Sequence, residues 1–386
     1  MTMLTRIIPP NRMLSFVNRL SEESHLLADS MLAWQVKGFG KLDKLELGPY
    51  RRPILAKPKD VLVQVKATSV NPIDVAMLGG YGVAILDLMR KCDLTSDKYE
   101  NFPMILGRDF SGEVLTKGTD VRSDINIGDK VYGVVPVHAQ GCHSELVIAD
   151  DGLIAHKPEH LSDEESAGIM YAAMTAWSAL KITGDLLITG GDNKRALVIG
   201  GSGGVGTIAI QLLKSWGAEV VTTCQPDAIP VVEKLKPNLI VDYTQSSWLK
   251  DLQSCGKFDL ILDACGNVTP SVFIPLLSQW NNSKFITLRS PLLKNTDSSG
   301  IIGGMFQNIG ELLTSNVSSG AISKGSTVRW AYFLPVPTAV TEIASLVAKK
   351  QISPVVEKVF PFTDLPSAYS RVNEGHLRGK VIISLK

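Results

Sequence analysis

The stretch RALVIGGSGGVGTIAIQLLKSWGAEVVTTC, Arg195–Cys224, places five glycines within the seven residues 200–206, between an apolar run and an amphipathic one. ALVIG reads as a strand, VGTIAIQLLKSWG as a helix and EVVTTC as a second strand. Within this strand–helix–strand unit, Gly201-x-Gly203-x-x-Gly206 follows the strand and opens the helix. That is the setting of a dinucleotide-binding turn. Gly201 is expected to permit the tight turn, Gly203 to let the backbone approach a pyrophosphate, and Gly206 to let helix and strand pack closely. The helix N-terminus adds unpaired N–H groups and the positive end of its dipole.

The end of the second strand indicates which dinucleotide binds, because NAD-specific sites place a carboxylate there against the ribose 2′-hydroxyl. This chain has Thr223-Cys224-Gln225 at that point. With no carboxylate to repel a 2′-phosphate, NADPH is favoured over NADH. No Arg or Lys stands there to grip the phosphate, however, and Asp227, two residues further on, would favour NADH if it turned inward.

The chain of 386 residues is long enough for two or three domains. Apolar residues make up 45% and charged residues 20%, and the net charge is +1. Such a balance fits a soluble globular chain and gives no reason to expect nucleic acid. Cys92, Cys142, Cys224, Cys255 and Cys265 are scattered and odd in number, which suggests neither a disulfide framework nor a paired-cysteine metal site. No apolar run reaches the roughly 18 residues needed to cross a bilayer. Arg6, Arg12 and Arg19 stand among apolar residues with no acid before Glu22, so residues 1–30 read as a mitochondrial transit peptide.

From Met31 to about residue 170 the texture is short alternating strands (VLVQV, FSGEVL, DKVYGVV, SELVIA) separated by turns. DEESAGIMYAAMTAWSALK reads as one helix. Residues 171–334 then alternate strand and helix, with DLILDAC, KFITL and a last strand VRWAYFL, which implies a parallel sheet covered on both faces. Residues 335–386 return to the mixed texture and are expected to complete the first domain. The fold class is α/β. Residues 291–325 form a Gly- and Ser-rich insertion that carries apolar residues, and it is expected to be a lid, a partner surface or a peripheral membrane contact.

NPIDVAMLGGYG (71–82), LGRDFSGEV (106–114), GDKVYG (128–133), GCHSELV (141–147), AAMTAWSAL (172–180) and GGSGGVG (200–206) occur in this order. The set resembles the medium-chain dehydrogenase/reductases, over the chain from about Met31 to Lys386. The resemblance implies a Rossmann doubly wound sheet joined to a strand-rich GroES-like catalytic domain. Within the superfamily the chain is similar to the zinc-free quinone-reductase-like branch. The insertion between Tyr81 and Phe102, together with RWAYF and GHLRGKVII, looks like the family of mitochondrial reticulon-4-interacting oxidoreductases. That likeness implies a matrix NAD(P)H oxidoreductase linked to ubiquinone biosynthesis. It also implies cofactor contacts at Ser202, Gly204, Val205, Tyr243, Leu288, Ala331, Phe333, His376 and Arg378. Gln225 stands where relatives carry Ser, and Ala264 where they carry Asn.

Zinc enzymes of this superfamily use a Cys and a Gly-His-Glu motif, whereas Asn71 and Gly107-Arg108-Asp109 occupy those places here. No metal is therefore expected. Reduction of a quinone or enone is the natural chemistry, since nicotinamide supplies hydride to an acceptor that is already electrophilic. Asn71 is the catalytic candidate, as a donor to the acceptor's carbonyl oxygen. One alternative is an enoyl-thioester reductase with Tyr81 as proton donor, and another is an NADPH-binding protein that recruits partners without turnover. A homodimer is expected from the fold, with no interface legible in the sequence.

Overall fold

The computed structural model describes residues 30–93 and 102–386. The transit-peptide reading falls on residues 1–30, of which 1–29 lie outside the described residues. The first region builds β1 (Ser30–Val36), β2 (Leu45–Arg51), β3 (Asp60–Val70), β4 (Met104–Ile105), β5 (Asp109–Lys117), β6 (Lys130–Val134), β7 (Leu146–Asp150) and β8 (Ile154–His156). Period-two alternation turns one face inward, so that Val61, Val63 and Val65 of β3 pack with Phe110 and Val114 of β5. Between β3 and β4 lie α1 (Pro72–Leu78) and α2 (Val83–Asp93). Pro72 opens α1, where a missing N–H costs nothing, and the Asp74 carboxylate accepts from the Asn71 backbone N–H at 2.8 Å.

The expected single helix across residues 163–181 is broken: Asp163–Ser166 stands apart from α3 (Met170–Trp177). Gly168 lies at the break, where a Cβ would come within 3.2 Å of Ile382 Cδ1. Six strands then follow: β9 (Arg195–Ile199), β10 (Glu219–Cys224), β11 (Leu239–Asp242), β12 (Leu260–Asp263), β13 (Lys284–Thr287) and β14 (Thr327–Trp330). They form one parallel sheet in the order β11-β10-β9-β12-β13-β14. The order reverses between β9 and β12, which opens a crevice at the carboxyl ends of the strands. α4 (Gly204–Ser215) follows β9 and buries Ile208, Ala209 and Leu212 in the cluster that includes α3.

The insertion is helical: α5 (Leu292–Ser318) is broken at Gly300, whose φ of 69° and ψ of 171° leave the helical region. It packs against α2 and β14. β14 also ends earlier than the sequence suggests, so Ala331, Tyr332 and Phe333 leave the sheet at its carboxyl edge. α6 (Pro337–Ala348) adds Ala339, Val340, Ile343 and Val347 to the cluster beneath the parallel sheet, and so spans both units. β15 (Val356–Pro361), α7 (Leu365–Glu374) and β16 (Lys380–Ser384) return to the first sheet, where β16 pairs with β15 and β3.

Candidate cofactor and acceptor site

The glycine turn lies at the switch point, after β9 and before α4. Gly200, rather than Gly201, takes the turn: its φ is 83°, a region that favours glycine. Gly201 serves close packing, since a Cβ there would lie 2.0 Å from Thr222 Oγ1. The same holds at Gly206, where a Cβ would lie 2.1 Å from the Gly200 carbonyl oxygen. Gly203 differs, because its Cβ would meet nothing nearer than 3.7 Å. It leaves an open cradle over the helix N-terminus, which fits a pyrophosphate. Ser202 is buried beside it, Gly204 opens α4, and Val205 packs onto the cluster under the sheet.

The remaining cofactor candidates gather along the same carboxyl edge. Tyr243 follows β11 and donates its N–H to the Cys224 carbonyl at 3.4 Å, which sets it beside Gln225 at the end of β10. Leu288 N–H donates to the Asp263 carbonyl and Ala331 N–H to the Thr287 carbonyl. Phe333 stacks on Tyr171, with ring centroids 4.5 Å apart and planes at 19°. His376, at a φ of 49°, belongs to the segment that brings Gly379 alongside Gly203.

This segment corrects the expectation that no cation stands at the end of β10. Arg378 reaches there from the C-terminal end of the chain. Its Nε donates to Asp227 Oδ2 and its Nη2 to Asp227 Oδ1, both at 3.0 Å, and Nη2 also donates to Gln225 Oε1 at 2.6 Å. Nη1 lies 3.4 Å from Ser202 Oγ. Arg378, Gln225, Ser202 and Asp227 thus surround one point beside the glycine turn. Asp227 turns toward Arg378, so the guanidinium is held by a carboxylate that a phosphate would have to displace.

Asn71 calls for a second correction, since it is 3% exposed and both ends of its amide are engaged. Nδ2 donates to Ser69 Oγ at 3.2 Å and to Asp109 Oδ2 at 3.3 Å, while Oδ1 accepts from the Lys380 ammonium. The amide has no free donor for an acceptor carbonyl, so the expected catalytic role gives way to positioning. Lys380 also donates to Asp109 Oδ2 at 3.1 Å, and the Tyr171 N–H donates to Asp109 Oδ1. Beneath this network the Arg108 guanidinium is fully buried, 3.4 Å from Asp74 Oδ1 and bonded to the carbonyls of Pro136, Val137 and Ala139. Asn71→Ala is expected to cost about 1–3 kcal/mol, because the buried ammonium loses an acceptor. A lowered melting temperature with NADPH affinity preserved checks it.

Among the described residues no group of three or more His, Cys, Asp or Glu is arranged to hold a metal ion. The donors where zinc relatives bind metal do not suit one: an amide, a guanidinium and a carboxylate stand there, with the Lys380 ammonium already between Asn71 Oδ1 and Asp109 Oδ2. The nearest histidine, His143, is buried. Its Nε2 lies 3.1 Å from the Ser69 carbonyl and its Nδ1 3.2 Å from the Tyr369 hydroxyl. Burial holds its pKa down, so both nitrogens serve the neutral ring.

Aromatic residues gather where the two units meet. Tyr332 and Ser290 share a 2.6 Å hydroxyl pair, and the Tyr81 hydroxyl points at the Ser290 carbonyl from 3.5 Å. The Asp297 carboxylate accepts from Gly82 N–H at 2.6 Å and Ala84 N–H at 3.0 Å, fastening α5 to the start of α2. Burial raises the phenol pKa of Tyr171, Tyr81 and Tyr332, and the Asp297 charge raises that of Tyr81 further. All three therefore keep their protons at neutral pH. The sequence reading did not single out Tyr171, Ser290, Tyr332 or Lys380. Tyr332 and Lys380 carry a signal only through their places in the RWAYF and GHLRGKVII motifs.

A six-stranded parallel sheet with a glycine turn at its switch point, joined to a bulged antiparallel domain that the C-terminus completes, defines a medium-chain dehydrogenase/reductase. Residues 57–177 match the alcohol dehydrogenase GroES-like domain, and residues 237–383 match the zinc-binding dehydrogenase family. The chain is 41% identical to the NAD(P)H oxidoreductase RTN4IP1, mitochondrial, of Danio rerio, over 92% of this chain and 91% of that protein. It is 39% identical to the Homo sapiens protein of the same name, over 92% and 89%. The chain belongs to this family of mitochondrial NAD(P)H oxidoreductases. It is accordingly an oxidoreductase with a nicotinamide cofactor, and its place is the mitochondrion. Among solved structures, a quinone oxidoreductase from Coxiella burnetii superposes with a TM-score of 0.72 at 24% identity, over 92% of this chain and all of that one. The CurK enoyl reductase does so with a TM-score of 0.71 at 18% identity, over 92% and 99%, and both likenesses speak to fold alone.

Proposed function

We propose that the protein is an NADPH-dependent, zinc-independent reductase of a quinone or enone acceptor in the mitochondrial matrix, serving ubiquinone biosynthesis. The observation that carries the reading is the aromatic cluster where the two units meet: Tyr171 stacked on Phe333, with Tyr81 and Tyr332 each bonded to Ser290. Flat apolar walls suit a planar conjugated acceptor. The cofactor supplies the hydride. The Gly200–Val205 backbone would hold its pyrophosphate, and Arg378 with Gln225 and Ser202 would hold the 2′-phosphate. Tyr332 and Tyr81 carry protonated hydroxyls that can donate to the oxygen that gains charge.

The enoyl-thioester reading makes Tyr81 the obligatory proton donor. In this structure its hydroxyl is turned to a backbone carbonyl and Tyr332 offers a second phenol, which favours the quinone reading. Steady-state NADPH oxidation with a panel of quinones and enoyl thioesters separates the two. Quinones are expected to turn over, and Tyr81→Phe to change that rate less than about tenfold, below the usual 10²–10⁴ of an essential acid. Turnover confined to enoyl thioesters and lost in Tyr81→Phe would reassign the enzyme. No turnover with any acceptor, at unimpaired NADPH affinity, would favour a binding protein without catalysis.

A further inference from the structure

Past its break, α5 turns one face into the protein, where Gly304 packs on the Thr296 backbone and Asn308 Oδ1 accepts from Asn295 Nδ2 at 2.9 Å. The opposite face is apolar and exposed: Ile302, Met305, Phe306, Ile309, Leu313 and Val317 are each 53–76% accessible. At 100° per residue these side chains fall within an arc of about 120°. A surface helix ordinarily carries polar residues there. From Ser298 to Ser323 the only charged residue is Glu311, whose carboxylate accepts from Asn295 Nδ2 at 3.0 Å on the inner side.

The neighbouring sheet edge is closed by the same helix. β14 is the last strand of its sheet, and Asn316 takes up its outward backbone: Val328 N–H donates to Asn316 Oδ1 at 2.8 Å, and Asn316 Nδ2 donates to the Val328 carbonyl at 3.0 Å. A covering helix is one way to blunt an edge strand. On this side the molecule therefore ends in an apolar helix face.

We propose that this face is the dimer interface, with α5 pairing antiparallel to α5 of a second copy across a twofold axis at Ile309–Gly310. The spacing is that of a helix-pairing seam: Ile302, Phe306, Ile309 and Leu313 alternate steps of four and three, and Val317 follows one turn later. The seam is also nearly symmetric about its middle. An antiparallel twofold sets Ile302 against Val317 and Phe306 against Leu313, as a self-complementary interface requires. At the crossing, a Cβ on Gly310 would have nothing within 4 Å, so two helices can approach closely.

Absence of charge suits an interface core, whereas a helix lying on an anionic bilayer carries Lys and Arg on its flanks. A large apolar side chain carries roughly 100 Å² of surface, so six of them, half to three-quarters exposed, contribute on the order of 400 Å². That is about half of the roughly 800 Å² per partner in a standard interface, and the polar rim of the helix supplies the rest.

Light scattering after size exclusion, over a concentration series, tests the proposal. The unaltered chain should run at twice the monomer mass. The double variant Phe306→Glu, Leu313→Glu should run as a monomer with its near-ultraviolet circular dichroism and NADPH affinity retained. Gly310→Cys should give, on oxidation, a disulfide-linked dimer that the unaltered chain does not form. A dimer that persists in the double variant, with no cross-link at position 310, would place the interface elsewhere and overturn the proposal. A monomer at every concentration would overturn it too, and flotation of that monomer with phosphatidylcholine vesicles would assign the face to a bilayer instead.

Discussion

Gly203→Val is expected to abolish NADPH binding while leaving a folded protein. The position tolerates a side chain locally: its φ of −76° and ψ of 169° are extended, and a Cβ would have no neighbour nearer than 3.7 Å. The isopropyl group would instead fill the cradle in front of the α4 N-terminus, where the pyrophosphate meets backbone N–H groups. Hydrogen bonds to a charged group are worth about 1.5–3 kcal/mol each. Losing two costs about 3–6 kcal/mol, roughly two to four orders of magnitude in affinity. Nicotinamide fluorescence titration beside a thermal melt reads both halves of this prediction. Gly206→Ala is the contrasting control, because its Cβ would strike the Gly200 carbonyl and the fold itself should fail.

Arg378→Ala is expected to lower NADPH affinity by about 10- to 150-fold, the loss of one charge-assisted contact of roughly 1.5–3 kcal/mol. NADH affinity should hold, since NADH has no 2′-phosphate, and Asp227 would then be free to meet the ribose hydroxyl. The preference between the two cofactors should therefore narrow or invert. Asp227→Asn moves the opposite way: it releases Arg378 from its carboxylate partner, and NADPH should bind more tightly. Equal losses for both cofactors in Arg378→Ala would mean that the guanidinium supports the loop rather than reading the phosphate.

These two sites differ in how far the sequence reveals them. The turn at Gly200–Gly206 is legible because strand, glycines and helix are contiguous, and the physics that demands glycine is local. Even so, which glycine does what was misread at Gly201, since a positive φ at Gly200 and a clash with Thr222 are properties of the folded backbone. The family likeness names Arg378 as a cofactor contact, but the residues around β10 do not show it as the cation there, because Arg378 lies 153 positions along the chain from Gln225 and only the return of β16 to β3 brings it there. Asn71 was read as a donor from its place in the NPID motif. Its amide is consumed by Ser69, Asp109 and Lys380, the last of them 309 positions away. The helical state of α5 was hidden by its glycines and serines, which tertiary packing against α2 and β14 overrides.

Under the proposed function, hydride passes from NADPH to a quinone without a metal to polarise it. The most direct measurement is the rate of NADPH oxidation with a short-chain ubiquinone analogue, by protein dialysed against a strong chelator, with bound zinc quantified by elemental analysis. An undiminished rate at a zinc content far below one atom per chain is expected. A rate that vanishes on chelation and returns with added zinc would contradict it.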